Sequence, residues 1–405
     1  MLKRIVHETT LTLLLAGTLV LAVDVRCIRA YSGFETAVFK TWTVDDDGPA
    51  DFHTIQEAIN AASSGDTVLV KSGTYHEHLD VNKVLLVVAE SRNNSIIDAG
   101  FTGTAVNITA NGAWIDDLAI RNAAQSALCI CGDDNRISGV DIFFDNSSGF
   151  PEHQIGVDIH SSRNLIEECT ILDSQYGGIA ITTDLGDAKD ACNNTIISNR
   201  ISAGGYGVVL QDVQIPTPPS VYDNRIIGNT IFSNSENSVG IYLLMTYGNT
   251  VAYNTIMNNG GGILLEYSYG SYGAGENAIH HNNLINNTHS VVGTYQSYGY
   301  MWDDGSEGNY WSDYGGIDVD DDGIGDSAYV IDENNRDNRP LMKPAIKGDA
   351  NLDGIVNIKD ASLLALSWLS RKEESRYNSH VDFNLDGIIN IKDATMIGVN
   401  WQKHI

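Results

Sequence analysis

The stretch Asn194–Ile201, NTIISNRI, decides the fold. It recurs as NRIIGNTI from Asn224 and NTVAYNTI from Asn249. Weaker copies begin at Asn135 (NRISGVDI), Asn164 (NLIEECTI) and Asn277 (NAIHHNNL), and a degenerate one, AWIDDLAI, begins at Ala113. Between the units come second short runs that mix glycine with alternating aliphatics: IGVDIH from Ile155, GGIAI from Gly177, YGVVL from Tyr206, VGIYLL from Val239 and GGILLE from Gly261. The spacing of the unit starts falls within the period of repeat architectures, and the β-branched runs lack helical spacing; together these mark a solenoid. One coil cannot bury its own apolar face, so each requires neighbours.

The unit selects a right-handed parallel β-helix, a mainly β fold. Isoleucines two or five residues apart fit strands whose alternate side chains enter a shared core. Asn stands where the chain turns, where it tolerates left-handed backbone angles and can bond its own backbone. Equivalent Asn residues in successive coils are expected to stack, amide on amide. An ordinary β-sandwich with Asn-rich turns is the alternative, and six recurrences of the first Asn argue against it. The open end of such a solenoid needs a cover. Residues 42–62 supply one: Thr54 and Glu57 fit a capping box, and Ile55, Ala58, Ile59 and Ala62 form one apolar helical face. Gly65-Asp66 then turns the chain, and Thr67 to Lys71 starts the first coil.

Composition narrows the partners. The chain has 405 residues, with 52 acidic against 24 basic, for a formal charge of −28. Such an excess argues against nucleic acid and in favour of cations. Lys3 and Arg4 precede an apolar run from Leu11 to Val23, too short to span a bilayer comfortably, and Val20-Leu21-Ala22 reads as a cleavage pattern. Residues 1–22 are thus read as an export signal, with extracellular display at the cell surface; the alternative is an uncleaved anchor, the one route to a membrane. The five cysteines, Cys27, Cys129, Cys131, Cys169 and Cys192, leave their pairing open.

The passage WTVDDDGPADFHTIQEAINAASSGDTVLVKSGTYHE, from Trp42, resembles the N-terminal cap of NosD-like, pectin-lyase-like β-helix proteins, and GNYWSDYGG from Gly308 and NRP at 338–340 match their far end. The resemblance covers residues 42–340 and implies the fold and an interaction with glycans; it does not imply catalysis. Within that tail, Asp318, Asp320, Asp322 and Asp326 alternate around Gly323, the pattern of a turn that wraps a hard cation such as Ca²⁺.

Residues 341–348 read as a linker. Two copies of one loop follow, the first from Asp349 and the second from Asp382. The first places Asp349, Asn351, Asp353, the carbonyl of Ile355, Asn357 and Asp360 around a calcium ion; the second places Asp382, Asn384, Asp386, the carbonyl of Ile388, Asn390 and Asp393. A helical pattern follows each, from Ala361 to Trp368 and from Ala394 to Trp401. Paired loops with Asp at position 12 resemble a dockerin over residues 349–405. That resemblance implies a cohesin partner contacted through Ile358 and Lys359 in one repeat and Ile391 and Lys392 in the other.

An active site is harder to read. The signatures of a galacturonase-like hydrolase are missing, and Trp114-Ile115-Asp116-Asp117 matches a lyase motif only faintly. If Val157 and Ile159 point inward, Asp158 and His160 point outward. The same face then carries Ala180, Thr182, Val209, Gln211, Tyr242, Leu244, Leu264 and Glu266, with Asp184 and Asp212 just beyond. Asp158, His160, Asp184, Asp212 and Glu266 are therefore the candidates for acid–base work on a polysaccharide as hydrolase or lyase. The competing reading is a non-catalytic structural or adhesive module. Cys129 and Cys131, facing outward one coil before Asp158 and His160, form a candidate zinc or copper site.

Overall fold

The computed structural model describes residues 39–145, 154–183, 189–213, 220–233, 235–266, 277–293, 300–351 and 355–403. The export segment, Cys27, Asp184 and Asp353 lie outside them. Three parallel sheets of ten, nine and ten strands run along a right-handed solenoid, and each coil gives one short strand to each sheet. Because every strand pairs with its equivalent one coil on, identical positions stack. On the first sheet Ile137, Ile166, Ile196, Ile226, Val251 and Ile279 register in sequence. On the third, Ile142, Ile171, Ile201, Ile231, Ile256 and Leu284 do the same, ending on Trp311. All of these are fully buried. At roughly 1.5–3 kcal/mol per buried aliphatic side chain, these columns are the main apolar term.

Asparagine fixes the register. Both Asn residues of the repeat are buried, and both make ladders. In the first, each side-chain Oδ1 accepts the backbone N–H of the equivalent Asn one coil earlier: Asn135 to Asn164, Asn194, Asn224, Asn249 and Asn277, at 2.8–3.0 Å. The second runs from Asn199 through Asn229, Asn254 and Asn282 to Asn309. Most of their Nδ2 groups donate to backbone carbonyls, as Asn224 does to Ala191 at 3.0 Å. The left-handed angles fall elsewhere than expected. In most coils the residue before the ladder Asn carries the positive φ: Arg163, Asn193, Asp223 and Gly248 in one ladder, Ser198, Gly228, Tyr253 and His281 in the other. The ladder Asn is selected for its amide, and the turn before it bears the strain.

Both ends are closed. Helix α1, Ile55–Ala61, buries Ile55, Ala58 and Ile59 over the first coil. Thr54 caps it by accepting the Glu57 N–H at 3.3 Å. The carboxylate at its start is Glu77, reaching from the first coil to the amides of Ile55 and Gln56 at 2.8 and 2.9 Å. At the far end the second ladder terminates on Asp337, whose Oδ2 accepts the Asn309 N–H at 2.7 Å and the Trp311 indole at 2.8 Å. Tyr329 stacks on Trp311 at 4.1 Å.

Beyond the solenoid, Ile358–Leu366 (α2) and Ile391–Val399 (α3) pack on a small core of Val356, Leu364, Val381, Phe383, Ile389 and Ile397. Both helices start inside their loops, earlier than the pattern from Ala361 and Ala394 implied. Asn357 and Asn390 act as N-caps, and Asp360 and Asp393 complete reciprocal capping boxes. Among the described residues no helix is long and apolar enough to cross a membrane.

Asn224→Ala should lower unfolding stability by about 3 kcal/mol in urea titrations, since it orphans the buried Asn194 N–H and the Ala191 carbonyl on the preceding coil. Asn111→Ala, which removes an exposed coil-to-coil bond to the Asp133 N–H, should cost under ~1 kcal/mol. Equal losses would mean that the buried ladder adds nothing specific.

Candidate functional site

The outward face of the nine-stranded sheet has the register read from sequence. Asn107, Cys129, Asp158, Ala180, Val209, Tyr242, Leu264 and Val292 align across successive coils. That face is not a polar open surface, however. Ala180 and Val209 are fully buried and Tyr242 is 8 % exposed, and together they form an apolar cluster with Ile155, Tyr206, Leu244 and Leu264. Tyr176, Tyr206 and Tyr242 run along it as a ring ladder, with centroids 5.6 and 5.1 Å apart, the second pair stacked. The Tyr242 hydroxyl donates to Glu266 at 2.6 Å, and burial and that carboxylate push the phenol above its ordinary range. A cavity of about 230 Å³ is lined by Asp173, Ser174, Gln175, Ser202, Gly204 and Ser233.

The described candidate catalytic residues do not gather. Asp158 and His160 pair with each other at 3.1 Å, and His160 lies 3.5 Å from Thr182 Oγ1. Glu266 stands on a strand four coils further on, roughly 19 Å away at the usual strand spacing. Asp212 is buried; its oxygens accept the Thr183 hydroxyl at 3.1 Å and the Ser220 amide, so it ties together the two ends of a loop. Nor do the thiols join the Asp158–His160 pair. Cys129 and Cys131 lie 3.7 Å apart, but no three of these four residues bring ligand atoms within 4.8 Å of one another. The side-chain pairs sit on adjacent coils without converging. Buried Cys169 has its thiol pushed up to about 12 by desolvation, which disfavours the thiolate.

The carboxylates of Asp318, Asp320 and Asp322 do converge within 4.8 Å. The turn is shaped by Asp318, which accepts the amides of Asp322 and Gly323, and by Asp326, which accepts that of Val319 at 2.8 Å. Neighbouring Asp322 raises the Asp320 pKa by like-charge repulsion. An all-oxygen set of this kind fits a hard cation. In the second C-terminal loop Asp382 accepts the amides of Asp386 and Gly387, at 3.1 and 2.8 Å, and the Tyr377 hydroxyl at 2.7 Å. Asp393 joins position 12 to position 3, accepting the Asn384 amide at 3.4 Å, and burial pushes its pKa up to about 6. The first loop repeats this through Asp360, which accepts the amides of Ala350 and Asn351. Ile358 and Ile391 project into solvent, 67 % and 59 % exposed.

Sequence reasoning missed one constellation. His280 and His281, in the last full coil, meet Asp304, Glu307 and, from the C-terminal module, His380. His281 Nε2 lies 2.7 Å from Glu307 Oε2, its Nδ1 is 2.7 Å from His280 Nδ1, and Glu307 Oε1 pairs with His380. Burial opposes charge on Glu307, but the bonds from His281 and His380 outweigh it and hold the carboxyl at about 2. Burial lowers His280 to about 3. The available signal was the doublet His280-His281 inside a repeat unit that elsewhere places aliphatic, polar or turn residues there.

Residues 59–316 match the family model described as periplasmic copper-binding protein (NosD), and residues 347–398 match the type I dockerin domain. Pectinesterase A of Dickeya chrysanthemi is 30% identical over 153 residues, which are 37% of this chain and 38% of that protein. The chain thus spans well under half the length of that curated relative. Among solved structures, pectate lyase Pel9A is 14% identical, with a TM-score of 0.45 over 69% of this chain and 83% of its own, and pectin methylesterase from carrot is 15% identical, with a TM-score of 0.41 over 71% and 91%.

Calcium removal should act on the C-terminal module. Adding EGTA to the calcium-loaded protein should lower helical ellipticity and red-shift emission from half-buried Trp368, whereas Trp401, already 45 % exposed, should respond little. Unchanged spectra would show that calcium does not organise the loops.

Proposed function

The chain belongs to the NosD family of β-helix proteins and carries a type I dockerin match at its C-terminus; on that premise we propose that it is an exported, surface-displayed protein whose β-helix binds a polysaccharide and whose calcium-dependent dockerin docks it to a cohesin-bearing partner. One observation supports this reading most: two equivalent helix starts, at Ile358 and Ile391, leave a large aliphatic side chain in solvent beside a lysine, on the same chain as a ring ladder of three tyrosines. A tyrosine ladder with a carboxylate at its edge is the chemistry that receives a sugar ring: the C–H face stacks on tyrosine while hydroxyls and the carboxylate take its OH groups. Binding is favoured over hydrolysis, because a paired-carboxylate mechanism needs its two groups within about 5–9.5 Å, and Asp158 and Glu266 are four coils apart.

Calcium and partner binding are coupled at Lys392. Its ammonium lies 3.3 Å from Asp386, a proposed calcium ligand. Once calcium claims that carboxylate, Lys392 is released toward the partner beside Ile391. The first repeat offers Ile358 and Lys359 in the equivalent place, so one cohesin can be held in either of two orientations related by a half-turn.

Two measurements check this. Tyr206→Ala should weaken polysaccharide binding about tenfold, or ~1.4 kcal/mol, in affinity electrophoresis, without release of reducing ends or unsaturated products by either protein; wild-type turnover would replace binding with catalysis. Separately, Ile358→Ala with Lys359→Asp should weaken cohesin binding little, the matching pair at Ile391 and Lys392 should behave alike, and the combination should abolish it. Loss from one pair alone, with calcium binding intact, would rule out the two-orientation mode.

A further inference from the structure

We propose that His280, His281 and Asp304 form a binding site for one late first-row divalent ion, zinc or copper(II), at the floor of the cavity between the last coil and the C-terminal module. One ligand atom from each of the three residues lies within 4.8 Å of the others. Two imidazoles and one carboxylate are the donor set such ions take, unlike the all-oxygen loops elsewhere in the chain.

The supports are already in place. Glu307 Oε2 accepts from His281 Nε2 at 2.7 Å. That bond puts the His281 proton on Nε2 and leaves Nδ1 as a lone pair aimed at His280, the carboxylate–histidine arrangement that orients metal ligands. The Tyr253 ring packs 4.7 Å from the His281 ring and holds its plane. Asp304 is oriented by its own turn: Oδ1 accepts the amides of Ser306 and Glu307, both at 2.8 Å, and the Ser306 hydroxyl at 2.7 Å. The two Nδ1 atoms are 2.7 Å apart and share one proton. Two nitrogens on one tetrahedral zinc stand ~3.3 Å apart at ordinary bond lengths, so exchanging that proton for an ion requires opening by about half an ångström. The proton leaves His280 Nδ1 for the free Nε2 of the same ring, and both Nδ1 lone pairs face the ion.

Three protein ligands leave a fourth position. His280 and Asp304 line a cavity of about 890 Å³ whose other walls include Tyr300, Trp302, Tyr377 and Asp382, so that position faces solvent space rather than core. Glu307 is also bound by His380, on the short turn Ser379–Val381 just before the second calcium loop. The ion would therefore stiffen the junction between solenoid and dockerin, from the solenoid side.

The test uses the full chain with saturating calcium, so that the acidic loops are filled. Zn²⁺ and Cu²⁺ are titrated separately by calorimetry; one ion per chain is expected for at least one of them, and the tighter arm names the occupant. Asp304→Asn keeps the Oδ1 acceptor that holds the exposed turn, so it should fold normally, yet it should weaken binding at least about 30-fold. His281→Gln should weaken it at least about 100-fold, and Glu307→Gln about 10–100-fold through the lost orienting bond. Cu²⁺ bound to the wild type should show electron paramagnetic resonance splitting from two imidazole nitrogens. Absence of stoichiometric binding by either ion overturns the site, as does binding that persists unchanged in Asp304→Asn and His281→Gln.

Discussion

The amide ladder is the constraint on which the rest depends. A solenoid coil has no long-range partner except the coil before and the coil after, and aliphatic columns alone tolerate slippage, because one isoleucine packs on another at several offsets. An Asn amide tolerates none. Asn224 accepts from the Asn194 amide nitrogen at 2.9 Å and donates to Ala191 at 3.0 Å, while its own N–H reaches Asn249 at 2.8 Å. A shift of one residue would leave these buried groups unpaired, at about 1–3 kcal/mol each. The ladder thereby fixes which side chains face inward on all three sheets.

The ladder also explains the ends. A column of amides that simply stopped would leave a donor buried at the last coil. Asp337 meets that demand by accepting from both Asn309 and Trp311, and burial raises its own pKa to about 6. The residues that cover the solenoid's far end are therefore continuous with its interior. They are also close to the only buried imidazole cluster among the described residues. The linker meets the solenoid there through Asn283, whose amide exchanges bonds with Ala345 at 2.7 and 3.0 Å, and the C-terminal module through the His380–Glu307 pair. Polar closure of the fold and the chemistry at the junction arise in the same place, where regular strand pairing ends and carboxylates and imidazoles must satisfy what the coils no longer can.

Much of this was legible in the order of residues. Period, β-branching and repeated Asn imply stacked coils; Ile55, Ala58 and Ile59 announce the cap; alternating acids around a glycine announce the C-terminal loops. These are local patterns, and local patterns survive in sequence because each states a backbone preference or a burial requirement by itself. The facing of Asp158 and His160 was legible too, since alternation along a strand is strict.

What the sequence could not decide was distance between coils and across modules. It placed Asp158 and Glu266 on one face with Asp212 just beyond it, but could not show that Asp212 is spent on tying a loop. It assigned the left-handed turn to Asn, whereas the fold gives that conformation to the preceding residue and keeps Asn for its amide. It showed His280-His281 as a doublet without showing that Glu307, from the tail of the solenoid, and His380, from beyond the linker, close around it. The repeat determined the solenoid, because its register is written in every coil; the tertiary structure alone decided the site, because the groups there belong to different coils and a different module and share nothing in sequence but their final position.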